Sequence, residues 1–180
     1  MSADLRRRKL EKVFASFDTD RDGVIDELDI TAMAQIWCDT YGVAPSSAHW
    51  RSIHGRAHGL WRGIRENTDG GDADRVSRDE WVAAMDSPGF AAFVERSAIP
   101  FSMAVFAAAD GDGDGRITVE EMMAAQSKSG MSAEETRTVF ALLDTDGDGR
   151  VSYDEYVEAA RQFYLSDDPE APGNLIAGDF

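Results

Sequence analysis

The sequence predicts an all-α fold of four helix–loop–helix units that pack in two pairs. Three acidic segments, which begin at Asp18, Asp110 and Asp144, share the pattern Asp-x-Asp-x-Asp-Gly. Before each segment, apolar residues recur one, four and five positions earlier, which is the spacing of the buried face of an amphipathic helix. These residues are Phe17, Phe14 and Val13, then Ala109, Phe106 and Val105, and then Leu143, Phe140 and Val139. An apolar residue also follows each loop at once, so we expect a second helix there.

The composition indicates a folded protein that avoids anionic partners. The net charge is −16 and the sequence pI is about 4.4, so nucleic acid and anionic membranes are repelled. Four Trp, four Tyr and nine Phe provide enough apolar volume for a packed core. The single cysteine, Cys38, forms no intramolecular disulfide and is expected to be buried. No signal peptide and no membrane span are expected, and we predict a cytoplasmic monomer.

The three acidic segments have the donor spacing of calcium-binding loops. Calcium takes about six to eight oxygen ligands, and a twelve-residue loop supplies them from positions 1, 3, 5, 7, 9 and 12, with glycine at position 6 for the turn. The predicted ligands in the loop Asp110–Glu121 are Asp110, Asp112, Asp114, the Arg116 carbonyl, Thr118 through water, and Glu121. Those in the loop Asp144–Glu155 are Asp144, Asp146, Asp148, the Arg150 carbonyl, Ser152 and Glu155.

The loop Asp18–Asp29 differs at its last position. Its predicted ligands are Asp18, Asp20, Asp22, the Val24 carbonyl, Asp26 and Asp29. Because aspartate is one methylene shorter than glutamate, Asp29 is expected to bind with one oxygen only. The hypothesis is a six-coordinate site that is weaker for calcium and more tolerant of Mg²⁺.

A fourth copy, at residues 69–80, lacks two of the acidic ligand positions. Gly71 and Ala73 stand where the other loops carry aspartate, whereas Val76 keeps the central apolar position and Trp81 follows the loop. We predict a structural loop that binds calcium poorly and pairs with the first loop through a short β-bridge. In that bridge Ile25 lies opposite Val76; in the second pair Ile117 lies opposite Val151. The alternative is an irregular site formed by Asp69, Asp72, Asp74 and Glu80.

The loops are also expected to start their own exit helices. Ser77, Thr118 and Ser152 each stand three residues before a glutamate, which is the capping-box pattern, and Ser132 repeats it with Glu135. At the other end of the chain, the predicted docking tail carries Leu175, Ile176 and Phe180, and we expect these residues to pack in a groove between the halves.

Three loops of this pattern resemble the EF-hand superfamily, and the arrangement over nearly the whole chain is similar to the sarcoplasmic calcium-binding protein group, including its bacterial calerythrin-like members. The resemblance rests on intact first, third and fourth loops, a degenerate second loop and the C-terminal sequence FYLSDDPEAPGNLIAG. It implies four EF-hands in two pairs packed into one compact globule, with an N-terminal pair at residues 1–95 and a C-terminal pair with the tail at 96–180. Coelenterazine photoproteins have a similar arrangement, but they need a histidine on the last helix, and YDEYVEAARQFYLS has none.

These observations favour a calcium-binding protein rather than an enzyme. The leading hypothesis is an intracellular buffer or store that binds three Ca²⁺ ions. A sensor that exposes an apolar groove to a target protein is the first alternative, and a carrier of a small luciferin-like ligand is the second. The three histidines, His49, His54 and His58, crowd one helix, so neither a zinc site nor a catalytic triad is expected.

Overall fold

The computed structural model describes residues 2–68, 74–84, 86–126 and 132–176. In the first half, helix α1 (Ser2–Phe17) leads into the first loop, strand β1 (Val24–Ile25) and helix α2 (Glu27–Thr40). Helix α3 (Ala48–Asn67) leads towards the second loop, which contains strand β2 (Val76–Ser77) and is followed by helix α4 (Arg78–Ala84). Residues 69–73, which carry the missing ligand positions of the second loop, lie outside the described part of the chain.

The second half begins with three helical segments in direct succession. These are α5 (Phe90–Phe93), a π-helical segment (Val94–Ala98) and α6 (Ile99–Ala109). After the third loop and strand β3 (Arg116–Ile117) come helices α7 (Val119–Gln126) and α8 (Ala133–Leu143). Strand β4 (Val151–Ser152), helix α9 (Tyr153–Leu165) and a 3₁₀ helix (Pro172–Leu175) complete the described chain.

The loops pair as the sequence predicts. Strands β1 and β2 are antiparallel with Ile25 opposite Val76, and β3 and β4 are antiparallel with Ile117 opposite Val151. All four side chains are buried. Each two-residue ladder therefore joins the loops of one pair through main-chain hydrogen bonds and inserts apolar residues into the core beneath.

The core is shared by the two halves. Buried apolar side chains from both pairs form one cluster, and α3 packs against both α2 and α6. Helix α1 contacts α9 near the end of the chain, where the Lys9 ammonium donates to the Ser166 carbonyl over 3.0 Å. The predicted boundary between residues 95 and 96 falls inside the π-helical segment, so the division into two units stays a prediction.

Among the described residues, one helical stretch, Phe90–Ala109, has the length and composition of a membrane span. Its mean hydropathy is 1.3 over eighteen residues, yet 61% of that window is buried inside the protein. Pro100 explains the π turn that precedes it, because proline has no N–H and its ring clashes with the carbonyl four residues earlier in an α-helix. The Ile99 N–H accordingly reaches back five residues, to the Val94 carbonyl.

The described part of the tail packs mainly on the C-terminal pair, and its docking in a groove between the halves stays a prediction. The 3₁₀ helix contacts α8 and α9, and Leu175 and Ile176 pack against the core. A Cβ on Gly173 would lie 2.1 Å from the Ala159 carbonyl oxygen, so only glycine allows this approach. The third predicted anchor, Phe180, lies outside the described residues.

Candidate metal-binding loops

Three of the loops gather carboxylate oxygens at one point. The grouped side chains are Asp18, Asp20 and Asp22 in the first loop; Asp110, Asp112 and Glu121 in the third; and Asp144, Asp146 and Glu155 in the fourth. Within each group, one oxygen from every member lies within 4.8 Å of the others. Like charges at this separation repel, so the arrangement suits a hard cation.

Glycine and main-chain hydrogen bonds set the shape of each loop. In the fourth loop, the Asp144 carboxylate accepts from the N–H groups of Asp148 (3.1 Å) and Gly149 (2.9 Å). Gly149 has φ +83°, a left-handed conformation that residues with a side chain rarely adopt. The chain therefore turns back around its first aspartate, and the carboxylates at positions 1 and 3 face the same point as the last glutamate.

The last residue of each loop closes it. In the fourth loop Glu155 accepts from the Thr145 N–H (2.8 Å) with one oxygen and from the Ser152 N–H (2.8 Å) with the other. Burial alone would raise the pKa of Glu155, but hydrogen bonds from Ser152 and Thr145 together lower that pKa to about 2. The carboxylate is thus charged at neutral pH, as a calcium ligand has to be.

The third loop is built in the same way. Glu121 accepts from the Gly111 N–H (2.8 Å) and from the N–H (2.9 Å) and hydroxyl (2.8 Å) of Thr118. Although burial opposes ionisation, these hydrogen bonds lower the pKa of Glu121. The predicted capping boxes that start from Ser132 and Ser152 are confirmed. The same reciprocal contacts join Thr118 to Glu121 and Ser77 to Glu80.

In the first loop, Asp29 takes the place of the closing glutamate and makes similar hydrogen bonds with its shorter side chain. Asp29 accepts from the Thr19 N–H (2.9 Å) and from the Asp26 N–H (3.1 Å), and Asp26 in turn caps α2. This Asp26–Asp29 capping box was not predicted from the sequence, because the capping-box pattern has serine or threonine followed three residues later by glutamate or glutamine. Asp29 is not among the grouped oxygens of its loop, which come from Asp18, Asp20 and Asp22, whereas the glutamates belong to theirs.

A set of arginine contacts between paired loops was also missed. Arg116, at position 7 of the third loop, forms an ion pair with Asp148 of the fourth, and Arg150 of the fourth pairs with Asp114 of the third. Sequence reasoning used both arginines only for their carbonyl oxygens. The available signal was the recurrence of arginine at position 7 in three of the loops.

The fold and these loops define an EF-hand calcium-binding protein. A model of the EF-hand domain pair matches residues 102–161, and a model of a single EF hand matches residues 10–33. A calcium-binding protein of Streptomyces coelicolor, described in connection with prokaryotic calcium-mediated regulation, is 33% identical; the match covers 91% of this chain and 99% of that chain with a TM-score of 0.74. The chain therefore belongs to the EF-hand calcium-binding proteins, in the group that resembles sarcoplasmic calcium-binding proteins.

More distant structures share the fold. A sarcoplasmic calcium-binding protein from amphioxus is 20% identical, with a TM-score of 0.77 and 98% of each chain covered. A coelenterazine-binding protein from Renilla muelleri is 18% identical, with a TM-score of 0.68, covering 99% of this chain and 98% of that one. No curated protein matches the sequence.

Proposed function

We propose that the protein binds three Ca²⁺ ions, one each in the loops Asp18–Asp29, Asp110–Glu121 and Asp144–Glu155, and serves as a cytoplasmic calcium buffer rather than as an enzyme. The observation that carries the proposal is the gathering of carboxylate oxygens in these three loops of the described chain. The donors are hard oxygens, and the last glutamates of two loops are held ionised, so the residues fit calcium.

The proposed ligands are those of the sequence prediction. Loop one contributes Asp18, Asp20, Asp22, the Val24 carbonyl, Asp26 and Asp29, with Mg²⁺ as a competitor there. The other two loops each contribute three aspartates, a carbonyl at position 7, the hydroxyl residue at position 9 and the final glutamate. Three bound ions would reduce the net charge from −16 to −10, so the folded state is expected to gain stability on loading.

The shared core supports a buffer. A buffer needs high capacity and little change of surface on binding, and a core that both pairs contribute to resists opening.

A sensor is the second candidate, and one feature of the C-terminal pair favours it. A groove between α8, α9 and the tail is lined by Leu142, Ala159 and Pro172 and also by Glu155, a proposed calcium ligand. Leu142 remains 38% exposed. If a bound calcium ion shifts the Glu155 side chain, the shape of this apolar groove changes with it.

Fluorescence of a hydrophobic dye with and without calcium, at a fixed magnesium concentration, separates the two. For a buffer we expect the dye signal to fall or stay constant, because calcium tightens a fold that is already closed. A rise would show apolar surface opening and would replace the buffer with the sensor. Leu142→Ser, which makes one wall of the groove polar, should then reduce the rise in dye fluorescence while the variant still binds calcium.

A further inference from the structure

The arginines at position 7 each contact an acidic ligand of the neighbouring loop. Arg116 and Asp148 form one ion pair across β3 and β4, and Arg150 and Asp114 form the reciprocal one. The two acidic residues stand at position 5 of their loops, where calcium is expected to bind. In the C-terminal pair, each proposed calcium site therefore lies beside a positively charged guanidinium group from the other loop.

The N-terminal pair shows the same contact in one direction. Arg75, at position 7 of the second loop, forms an ion pair with Asp22, at position 5 of the first. A contact from the first loop to the second would need an acidic residue at position 5 of the second loop, but that position is Ala73. The first loop, in turn, has Val24 and not arginine at position 7. Arginine thus occurs at position 7 in the three loops whose partner has aspartate at position 5.

In Asp114 and in Asp148, one carboxylate oxygen contacts the same loop and the other contacts an arginine of the paired loop. One Asp114 oxygen accepts from the Arg116 N–H over 2.9 Å within the loop, and the other contacts the Arg150 guanidinium. Asp148 repeats this with the Arg150 N–H, also at 2.9 Å, and the Arg116 guanidinium. An incoming cation has to share a carboxylate that already has a positive partner.

We propose that Arg75, Arg116 and Arg150 set the calcium affinity of the loop opposite to their own, as counter-ions that lower it. This inference rests on the proposed function, since it concerns the same three sites. It also gives the second loop, which lacks two acidic ligands, a role beyond the β-bridge: it places a cation on the first site.

The test measures calcium binding to the full chain by competition with a chromophoric chelator at low ionic strength. Arg116→Gln and Arg150→Gln are each expected to tighten binding by the C-terminal pair about three- to tenfold, because a nearby positive charge that repels the ion is removed. The gain should shrink at high salt. The matched control is Arg137→Gln, on the exposed surface of α8, which removes the same charge from the same half and should leave the affinity unchanged.

A second comparison tests whether each arginine acts on the opposite loop and not on its own. In a Glu155→Gln background, where the fourth loop has lost its closing ligand, Arg150→Gln should still tighten binding at the third loop, although Arg150 belongs to the fourth. Arg116→Gln should not do so in that background. Equal effects of the two changes, or no effect of either, would overturn the proposal.

The outcomes also separate this inference from the proposed function. If the unaltered chain binds no calcium, the proposed function fails. If it binds calcium but Arg116→Gln, Arg150→Gln and Arg137→Gln have the same affinity as the unaltered chain, only the role of the arginines fails. Because the ion pairs are exposed, the variants should change the melting temperature of the calcium-free protein by no more than about 3 °C.

Discussion

Replacing Trp81 by phenylalanine should destabilise the calcium-free protein markedly, because Trp81 packs the helix after the degenerate second loop against the core. Trp81 follows the second loop directly and is 2% exposed. Its indole N–H donates to the Leu10 carbonyl over 2.8 Å, and its ring meets Phe17 and Phe93 edge-on, with centroids 5.9 and 6.0 Å away. One side chain thus joins α4 to α1 and α5.

The magnitude follows from these contacts. Loss of the hydrogen bond costs about 1 kcal/mol, and the smaller phenylalanine ring forfeits about 1–2 kcal/mol of apolar burial. The sum of about 2–3 kcal/mol corresponds to a fall in melting temperature of about 4–12 °C for a chain of this size. Trp81→Ala should cost about 3–5 kcal/mol, since it also leaves a cavity.

Urea denaturation in EDTA, followed by circular dichroism, measures the free energy of unfolding without a contribution from calcium. Trp50→Phe is the control, because Trp50 is only half-buried and its indole N–H reaches Gln35 over a longer 3.4 Å. The control should change stability by less than about 1 kcal/mol. If Trp81→Phe costs no more than this control, the second hand is not held in the way that the structure shows.

Three further predictions concern the first site, the tail and the fourth loop. Asp29→Glu should tighten calcium binding at the first site and weaken magnesium competition there; isothermal titration that finds both unchanged would refute the short-ligand hypothesis. Gly173→Ala should cost about 1–3 kcal/mol of stability, since the new methyl meets the Ala159 carbonyl, whereas Gly59→Ala, which has open space, should be neutral or slightly stabilising; equal melting temperatures would contradict this. Because the folded pKa of Glu155 is about 2 and its ordinary value is 4.5, its stabilisation is complete above pH 4.5 and is lost as the pH falls to 2. Acid titrations of stability in EDTA should therefore be shallower over this range in Glu155→Gln, and an unchanged slope would refute the assignment.

Local rules made the loops predictable. A twelve-residue spacing fixes which side chains turn inward, and a serine or threonine three residues before glutamate fixes where the exit helix begins. The pairing of Ile25 with Val76 and of Ile117 with Val151 followed from the apolar residue at position 8 of each loop and from the expectation that the loops pair. The ligand spacing and the capping boxes depend on residues that are close in sequence, so the local pattern alone determines them. The β-bridges join distant residues, and they were predictable because the whole helix–loop–helix unit repeats.

Features that depend on contacts between distant segments were predicted less well. The contact of the tail with α8 and α9 was not predicted, because the close approach of Gly173 to the Ala159 carbonyl depends on how the tail folds back. The arginine ion pairs join residues 32 to 53 positions apart, and the recurrence of arginine at position 7 does not by itself indicate which residue each arginine contacts. The π turn before Pro100 was not predicted either, although proline is a local signal that α-helical hydrogen bonding is interrupted there.

The central claim is that the first, third and fourth loops bind calcium and the second does not. Native mass spectrometry of the full chain at increasing calcium concentration counts the bound ions directly. The account predicts that binding saturates at three ions and that Glu121→Gln, Glu155→Gln or Asp18→Asn each weakens or removes one of them. Saturation at four ions, or a count that these substitutions leave unchanged, would contradict it.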